Sequence, residues 1–420
     1  MNNGILEGIK VVDLSRYISG PNACSLLGNL GADVIKVESP DGEPVREYEP
    51  ALNGESFYYM VFNRNKRGVT LNTRTDKGKE LLRALLADAD VLVENYRPGT
   101  LEKMGLSWDE LHKLNPKLIL ASISGFGQSG PMAGKAGFDS ILQATSGLMS
   151  LTGSPDGEPY LMGTFVIDYC TSIYCAYAVL AALIQREKTG EGQRVELSLM
   201  DTAASLLIDA IPEDILLNKR RSRIGNLDKC TAPVGCFRDK NGEYVYIIAA
   251  PQAHWLKLAD IIGRPELADD PRFKTVPVRH AHAAEVNVYV EEWTEKLTVE
   301  EIIAELDKAG IPAAKVLSVH EFLQLDQVKH NKQIINVPYT GLGDIPMQGF
   351  PTAFSAMPEQ LFRGAPNLGE HNYEIYGQLG YTREQVDKMR EALRKRENDS
   401  INGRVEHRFP SDTVQHTLSA

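Results

Sequence analysis

Residues 10–38 read "KVVDLSRYISGPNACSLLGNLGADVIKVE", and this stretch decides the fold class. Short apolar runs at 10–14 and 33–38 predict two strands, and the segment between them predicts a loop followed by a helix. The same alternation continues along the first two hundred residues. Further strands are predicted at 90–94, 118–124 and 194–199, and further helices at 76–87, 107–114 and about 170–187. Strands that alternate with helices form a parallel, doubly wound sheet, so the expected fold class is α/β.

The sequence changes character in its second half. Apolar runs at 244–250 and 313–317 predict strands, and helical patterns lie near 253–262, 281–297 and 299–309. This mixture predicts a smaller α+β domain at 229–325. The other predicted parts are a large domain at 1–205 completed by 350–397, linkers at 206–228 and 326–349, and a polar tail at 398–420. Two strands are expected within 332–349, and a helix at about 383–396 that opens with the capping box Thr382-x-x-Gln385.

Composition and charge narrow the classes of partner. The 420-residue chain has a formal net charge of −11, which argues against nucleic acid or an anionic membrane as the main partner. The N-terminal sequence has no features of a signal peptide, and the longest apolar run, 174–184, is too short to span a bilayer and predicts a buried helix. The five cysteines form no CxxC pair and no His or Cys pairs have ligand spacing. We therefore expect free thiols in a cytoplasmic protein, with no metal site.

Two glycine motifs resemble dinucleotide-binding turns but lack the required neighbours. "GFGQSG" (125–130) follows a predicted strand, yet the next residues are too rich in glycine to open the helix whose N-terminus holds a pyrophosphate. The first turn, "SRYISGP" (15–21), has one glycine, and its bulky side chains block close approach of a phosphate to the backbone. The sequence therefore argues against NAD chemistry.

A carboxylate stands in an unusual place in "GTFVIDYCTS" (163–172), where Asp168 follows four apolar or β-branched residues. One interpretation is that Asp168 is the N-cap of the long helix. The other is that Asp168 is a nucleophile whose pKa is lowered by the helix-end amides. No histidine occurs between His112 and His254 and no G-x-S-x-G elbow is present, so no local base is available. A carboxylate without a base suits attack on an activated acyl group such as a thioester.

Several segments together carry a family resemblance, and they include "LEGIKVVDLS" (6–15), "FNRNKRGVTLN" (62–72), "VLVENYRPGTLEKMGL" (91–106), "NPKLILASISGFGQSGP" (115–131) and "ALIQREKTGEGQRVELSLMD" (182–201). Over about residues 4–395 the chain resembles the class III CoA-transferases, the CaiB/BaiF family. The resemblance implies a Rossmann-like large domain with a parallel sheet, a small α+β domain, and an interlocked homodimer with active sites at the interface.

The resemblance also implies a mechanism and its site residues. Asp168 falls on the family's nucleophile, which forms a mixed anhydride and then an aspartyl-CoA thioester. Acyl-CoA and a small carboxylic acid are the implied substrates, with no cofactor bound permanently. Arg97 and Lys103 are assigned to the CoA phosphates as basic groups of one loop. The implied CoA contacts are Ile18, Ser19, Leu71, Asn72, Thr73, Arg74, Asn95, Tyr96, Arg97 and Lys103, with Lys135, Ala136, Gly137 and Phe138 along the pantetheine arm.

Alternatives remain open at this level. An α-methylacyl-CoA racemase would need a histidine in a "GHD" motif, where this chain reads "GFD" with Phe138. A non-catalytic acyl-CoA-binding protein would use Asp168 only as a cap. Formyl-CoA:oxalate enzymes carry an arginine where this chain has Ser39, and a run of glycines absent from 224–237. These departures predict an acid bulkier than oxalate.

Overall fold

A computed structural model of the chain describes residues 4–357 and 362–388. Its strands are β1 (Lys10–Asp13), β2 (Asp33–Glu38), β3 (Ala51–Leu52), β4 (Glu55–Ser56), β5 (Lys66–Thr70), β6 (Val91–Glu94), β7 (Ile119–Ser124), β8 (Arg194–Ser198), β9 (Val234–Arg238), β10 (Tyr244–Ile248), β11 (Ala313–Lys315), β12 (Ile334–Tyr339) and β13 (Gly343–Gln348). Six of them form the central sheet in the order β5-β2-β1-β6-β7-β8. All of its pairings are parallel, which confirms the predicted α/β class.

Helices connect the strands of the central sheet, as the sequence pattern predicts. They are α1 (Ser19–Asn29), α2 (Phe57–Asn63), α3 (Asp76–Ala87), α4 (Thr100–Lys103), α5 (Trp108–Leu114), α6 (Asp139–Thr145), α7 (Val166–Thr189), α8 (Leu199–Leu206), α9 (Ala210–Leu217), α10 (Gln252–Ile261), α11 (Val276–Ala281), α12 (Ala283–Thr294), α13 (Val299–Ala309), α14 (Val319–Gln324), α15 (Asp326–His330) and α16 (Asn372–Gln378). Side-chain caps begin α3 and α5: Thr75 accepts from Gly78 N, and Ser107 accepts from Glu110 N.

The central strands read as continuous apolar runs because helices cover both faces of the sheet. Every residue of β6 and β7 is buried. One face packs on α3, α5 and α16 through a cluster that includes Leu82, Leu92 and Leu111. On the other face α1 packs against α7. The sheet edge at β5 was not predicted, because "KRGVT" is too polar to suggest a strand.

Contacts divide the chain into two compact units. One comprises the described residues within Met1–Asp139, Val166–Thr202 and Ile335–Ala420, and the other comprises Ser140–Phe165 and Ala203–Ile334. The second unit therefore includes a segment, 140–165, that the sequence analysis placed in the large domain. The predicted tail at 398–420 and the end of the helix at 383–396 lie outside the described residues. Residues 383–388 are helical, and Thr382 and Gln385 form the predicted reciprocal cap.

The second unit contains an antiparallel sheet in the order β11-β10-β9. Helices α10, α12 and α13 cover it through a core that includes Trp255 and Phe273. Arg279 is fully buried there and donates to the carbonyl oxygens of Ala232, Phe273 and Ala250. This arrangement agrees with the α+β character that the sequence predicts.

Helix α7 differs from the prediction in two ways. It begins at Val166, four residues before the predicted start. It also has an exposed face, which carries Ile173, Tyr174 and Tyr177, so it is not a fully buried helix. Within the described part of the chain it alone is long and apolar enough to cross a membrane, a property that the core helices of soluble proteins share.

Candidate active site

The carboxyl ends of β1, β6 and β7 meet at one edge of the sheet, and the loops that follow them border a cavity of about 320 Å³. The chain reverses its direction of travel across the sheet between β1 and β6, where open α/β sheets bind ligands. Asn95 joins the two loops at this point: its Oδ1 accepts from Arg16 N at 2.7 Å, and its Nδ2 donates to Arg16 O at 2.7 Å.

Most of the residues predicted for CoA contact line one of two cavities. The 320 Å³ cavity is lined by Ser19, Asn95, Tyr96, Arg97, Lys135, Ala136, Gly137 and Phe138, and also by Asp168. A second cavity, of about 660 Å³, is lined by Leu71, Asn72, Thr73 and Arg74, together with Ser39. Arg16 and Tyr96 border both cavities, and the sequence analysis did not single out Arg16. Ile18, which is buried, and Lys103, which is exposed, line neither of them.

Two glycines bring the loop before Asp139 against the end of β7. A Cβ on Gly125 would lie 2.8 Å from the Cα of Gly137, so only glycine permits this approach. Residues 125–138, all within the described part of the chain, contain turns and bends but no helix. The absence of a helix after "GFGQSG" is thus confirmed, and the helix N-terminus that a dinucleotide site needs does not follow it.

Asp168 lies in the first turn of α7 and is not its cap. The cap is Asp139, whose Oδ2 accepts from Ile167 N at 2.8 Å and from Asp168 N at 3.1 Å. Asp139 is 3% exposed, and the sequence analysis quoted it in "GFD" without assigning it a role. Because Asp139 satisfies these amides, the Asp168 carboxyl is left to border the cavity, which Ser19 also lines.

The pKa of Asp168 is shifted in the direction opposite to the prediction. Burial and the neighbouring charge of Asp139 raise it from its usual 3.8 to about 7, and the hydrogen bond from Ser19 lowers it in part. The predicted effect of the helix-end amides is therefore outweighed by desolvation and by a like charge. The result is a carboxylate that is more basic, and so more nucleophilic once ionised, than an exposed aspartate.

A buried ion network lies behind the first turn. Asp13, Lys36 and Lys66 are fully buried, and Lys66 Nζ lies 2.7 Å from Asp13 Oδ2. Lys36 Nζ lies 2.9 Å from Glu43 Oε1 and donates to Ser15 O at 2.6 Å. Burial alone would raise the pKa of Asp13, but the two lysines lower it. These groups hold the loop between β1 and α1 in place. No local sequence motif predicted the network.

Comparison with known proteins identifies the family. A family model described as "CoA-transferase family III" matches residues 6–372. The chain belongs to this family. This class III CoA-transferase is 37% identical to the succinyl-CoA–D-citramalate CoA-transferase of Chloroflexus aurantiacus, over 89% of this chain and 94% of that protein. It is 36% identical to the formyl-CoA:oxalate CoA-transferase of Streptomyces avermitilis, over 91% and 97% of the two chains. The crystal structure of a CaiB/BaiF family protein from Brucella suis is similar to it with a TM-score of 0.81 at 36% identity, covering 90% of this chain and 100% of that chain.

The predicted resemblance to the class III CoA-transferases is thereby confirmed, and the chain is an enzyme of that family. The site also bears on the racemase alternative. Phe138 lines the cavity beside Asp168, and its ring meets that of Tyr17 edge to face at 5.6 Å. Phenylalanine has no titratable group, so this position of the class III CoA-transferase cannot move a proton.

Proposed function

We propose that this protein transfers CoA from an acyl-CoA donor to a carboxylic acid acceptor, with Asp168 as the nucleophile. The observation that carries the proposal is the placement of the Asp168 carboxyl. Asp139, and not Asp168, caps the first turn of α7. The Asp168 carboxyl borders a cavity that is also lined by Asn95 and Arg97. Burying a carboxylate in such a place costs free energy, and we attribute its presence there to a role in catalysis.

The proposed reaction balances without a cofactor or a net proton. Ionised Asp168 attacks the thioester carbonyl, the carbon–sulfur bond breaks, and CoA leaves as a thiolate. The thiolate then attacks the aspartyl carbonyl of the mixed anhydride and expels the donor acid, which leaves an aspartyl-CoA thioester. The acceptor carboxylate repeats the two steps in reverse order, so that CoA passes to it and Asp168 is regenerated. A thioester is exchanged for a thioester at each turnover.

The charges around the cavity suit this chemistry. Arg16, Arg97 and Lys135 border it within an acidic protein, and they would stabilise the thiolate and the phosphates. The second cavity continues from the first at Arg16 and Tyr96, so it would take the nucleotide end of CoA beside Asn72 and Arg74. We propose that Lys103 and Ile18 contact the same ligand from positions outside both cavities.

The names of relatives guide which acids to test first. The names of two of them specify acids with two carboxyl groups, citramalate and oxalate. We extend this class to the present protein, with succinyl-CoA as the first donor to test. Ser39 and the absence of a glycine run in 224–237 favour an acceptor bulkier than oxalate.

The assembly is proposed to be an interlocked homodimer in the cytoplasm. The exposed face of α7 supports a homodimer, because Ile173, Tyr174 and Tyr177 are 49%, 44% and 69% exposed in the single chain. The cytoplasmic location rests on the unpaired cysteines and stays a prediction.

The decisive experiment is a covalent trap. The protein is mixed with succinyl-CoA and a panel of other acyl-CoAs, quenched within milliseconds to seconds, and digested. An acyl or CoA adduct is expected on the peptide that contains Asp168, and it should be missing from Asp168→Asn. Glu187→Gln, which removes an exposed carboxylate from the same helix, is the matched control and should form the adduct normally.

Two results would count against the proposal. One is an adduct of equal yield in Asp168→Asn. The other is tight CoA binding with no adduct from any donor, and exchange of the substrate α-proton with deuterated solvent would then favour the racemase alternative.

A further inference from the structure

The first turn after β1 has a strained backbone. Tyr17 has a φ of 67°, in the left-handed region that a bulky residue rarely occupies. The next residue, Ile18, precedes the start of α1 at Ser19. A small rotation at Tyr17 therefore changes the position of the Ser19 hydroxyl. Strain of this kind persists only where surrounding contacts impose it.

One of the contacts that hold this conformation comes from a buried carboxylate. Glu43 is 4% exposed and uses its two oxygens for different donors. Its Oε2 accepts from Tyr17 N at 2.9 Å. Its Oε1 lies 2.9 Å from Lys36 Nζ and also accepts from Asn63 Nδ2 at 3.3 Å. Glu43 thus connects the buried ion network to the amide of the strained residue.

Ser19 completes the chain of contacts, because it borders the same cavity as Asp168 and its hydroxyl lowers the pKa of that carboxyl. We propose that Glu43 is a positioning residue: it fixes the main chain at Tyr17 so that the Ser19 hydroxyl meets the Asp168 carboxyl. Glu43 has no part in the chemistry itself and acts through Ser19. This inference rests on the proposed role of Asp168 as nucleophile, and it deepens that role.

The informative variant is Glu43→Gln, which keeps the volume but has only one acceptor oxygen. We expect that oxygen to face the Lys36 ammonium. The opposite orientation would place the amide NH₂ against a buried ammonium, which costs more free energy than placing it against the Tyr17 N–H. The Tyr17 N–H then loses its acceptor while Lys36 retains one. Ser19→Ala is the second variant, since it removes the hydroxyl directly.

The measurement is the rate of adduct formation at Asp168 as a function of pH. The rate should rise with pH as Asp168 ionises, with a midpoint near the pKa of about 7. Moving the Ser19 hydroxyl away removes an interaction that favours the ionised form, so the midpoint should move to higher pH by up to about one unit, with an about fivefold lower rate at pH 7. Other charged or titratable groups around Asp168 are the buried Asp139, and Arg16, Tyr17, Tyr96, Arg97 and Lys135 along the cavity.

A double-mutant cycle tests whether Glu43 acts through Ser19. Glu43→Gln should shift the midpoint in the wild-type background and have little further effect in Ser19→Ala. Glu49→Gln, an exposed acid in the same loop, is the control and should leave the midpoint unchanged. Should Glu43→Gln fail to fold, Glu43→Asp retains the charge opposite Lys36 but is one methylene too short to reach Tyr17, and it should shift the midpoint in the same direction.

Three results would overturn the inference. The first is a wild-type midpoint in Glu43→Gln, or in Glu43→Asp if that variant is used. The second is an equal shift in the presence and absence of Ser19. In both of these cases, a normal adduct at Asp168 in the wild-type protein would leave the proposed function intact. The third is the lack of any wild-type adduct at Asp168, which removes the proposed function and this inference together.

Discussion

Replacing Asp168 by asparagine should stabilise the protein at alkaline pH, and under the proposed function it should also abolish transfer. Burial and the charge of Asp139 raise the pKa of Asp168 from 3.8 in an unfolded chain to about 7 in the folded one. Between these values the unfolded chain has lost the proton and the folded chain still holds it. The folded state is therefore progressively destabilised as the pH rises from 4 to 7, and above that the penalty is constant. Asparagine cannot ionise, so the Asp168→Asn protein does not have this penalty.

The size of the effect follows from the two pKa values. Their separation corresponds to an upper limit of about 4 kcal/mol. Asp168 is only partly covered and borders a cavity, so screening by solvent should reduce the expected gain to about 1–2 kcal/mol at pH 8. Near pH 4 the two proteins should be equally stable, because both side chains are then neutral in the folded state.

Urea unfolding at several pH values between 5 and 8.5 measures this difference. The advantage of Asp168→Asn should grow up to about pH 7 and then remain constant. Glu187→Gln on the exposed face of the same helix supplies the baseline and should show no such growth. A pH-independent difference, or an Asp168→Asn protein less stable than wild type at pH 8, would refute the reasoning. It would mean that the helix-end amides stabilise the charge more than burial opposes it.

Substitutions at three other positions test other parts of the structure. Asp139→Ala removes the acceptor of two α7 amides and should cost about 1–2 kcal/mol in urea unfolding, whereas Asp139→Asn should cost less. Both should move the pH midpoint of Asp168 acylation downwards, because the like charge is gone, and an unchanged midpoint would contradict this. Lys66→Met leaves the charge of Asp13 with one fewer buried partner and should cost about 3–5 kcal/mol, and a cost below 1 kcal/mol would show that the pair contributes little. Tyr177→Glu places a charge on the exposed face of α7 and should halve the mass measured by light scattering; a wild-type monomer, or an intact mutant dimer, would contradict the proposed interface.

The sequence predicted the parts of the fold that depend on apolar periodicity. Strands β2 and β7 and helix α3 lie close to or at their predicted bounds, since each is an uninterrupted apolar or amphipathic pattern with its own cap or turn. Strand β5 escaped prediction because its residues are polar. Lys66 in that strand points to Asp13, which is distant in sequence, and no local pattern encodes such a pairing.

The sequence predicted many of the residues that line the two cavities, but not the contacts among them. The family resemblance supplied Asp168 and the loops that border the two cavities, and the structure brings most of those residues together. The start of α7 was misplaced because its cap comes from Asp139, 28 residues before Ile167, and a local search for capping residues cannot find such a partner. Burial, together with the charge of Asp139, reversed the predicted direction of the Asp168 pKa shift.

The buried charges argue that stability and catalysis are separable in this protein. A buried ion pair is a poor source of stability, because the cost of removing both charges from water roughly offsets their attraction. Lys36 and Glu43 nevertheless lie together below the turn that carries Tyr17 and Ser19. An apolar pair would fill the same space but would offer no acceptor to the Tyr17 amide and no donor to Ser15 O. The ion pair is therefore explained by what it positions, and a variant with an apolar pair that still folds should acylate Asp168 slowly.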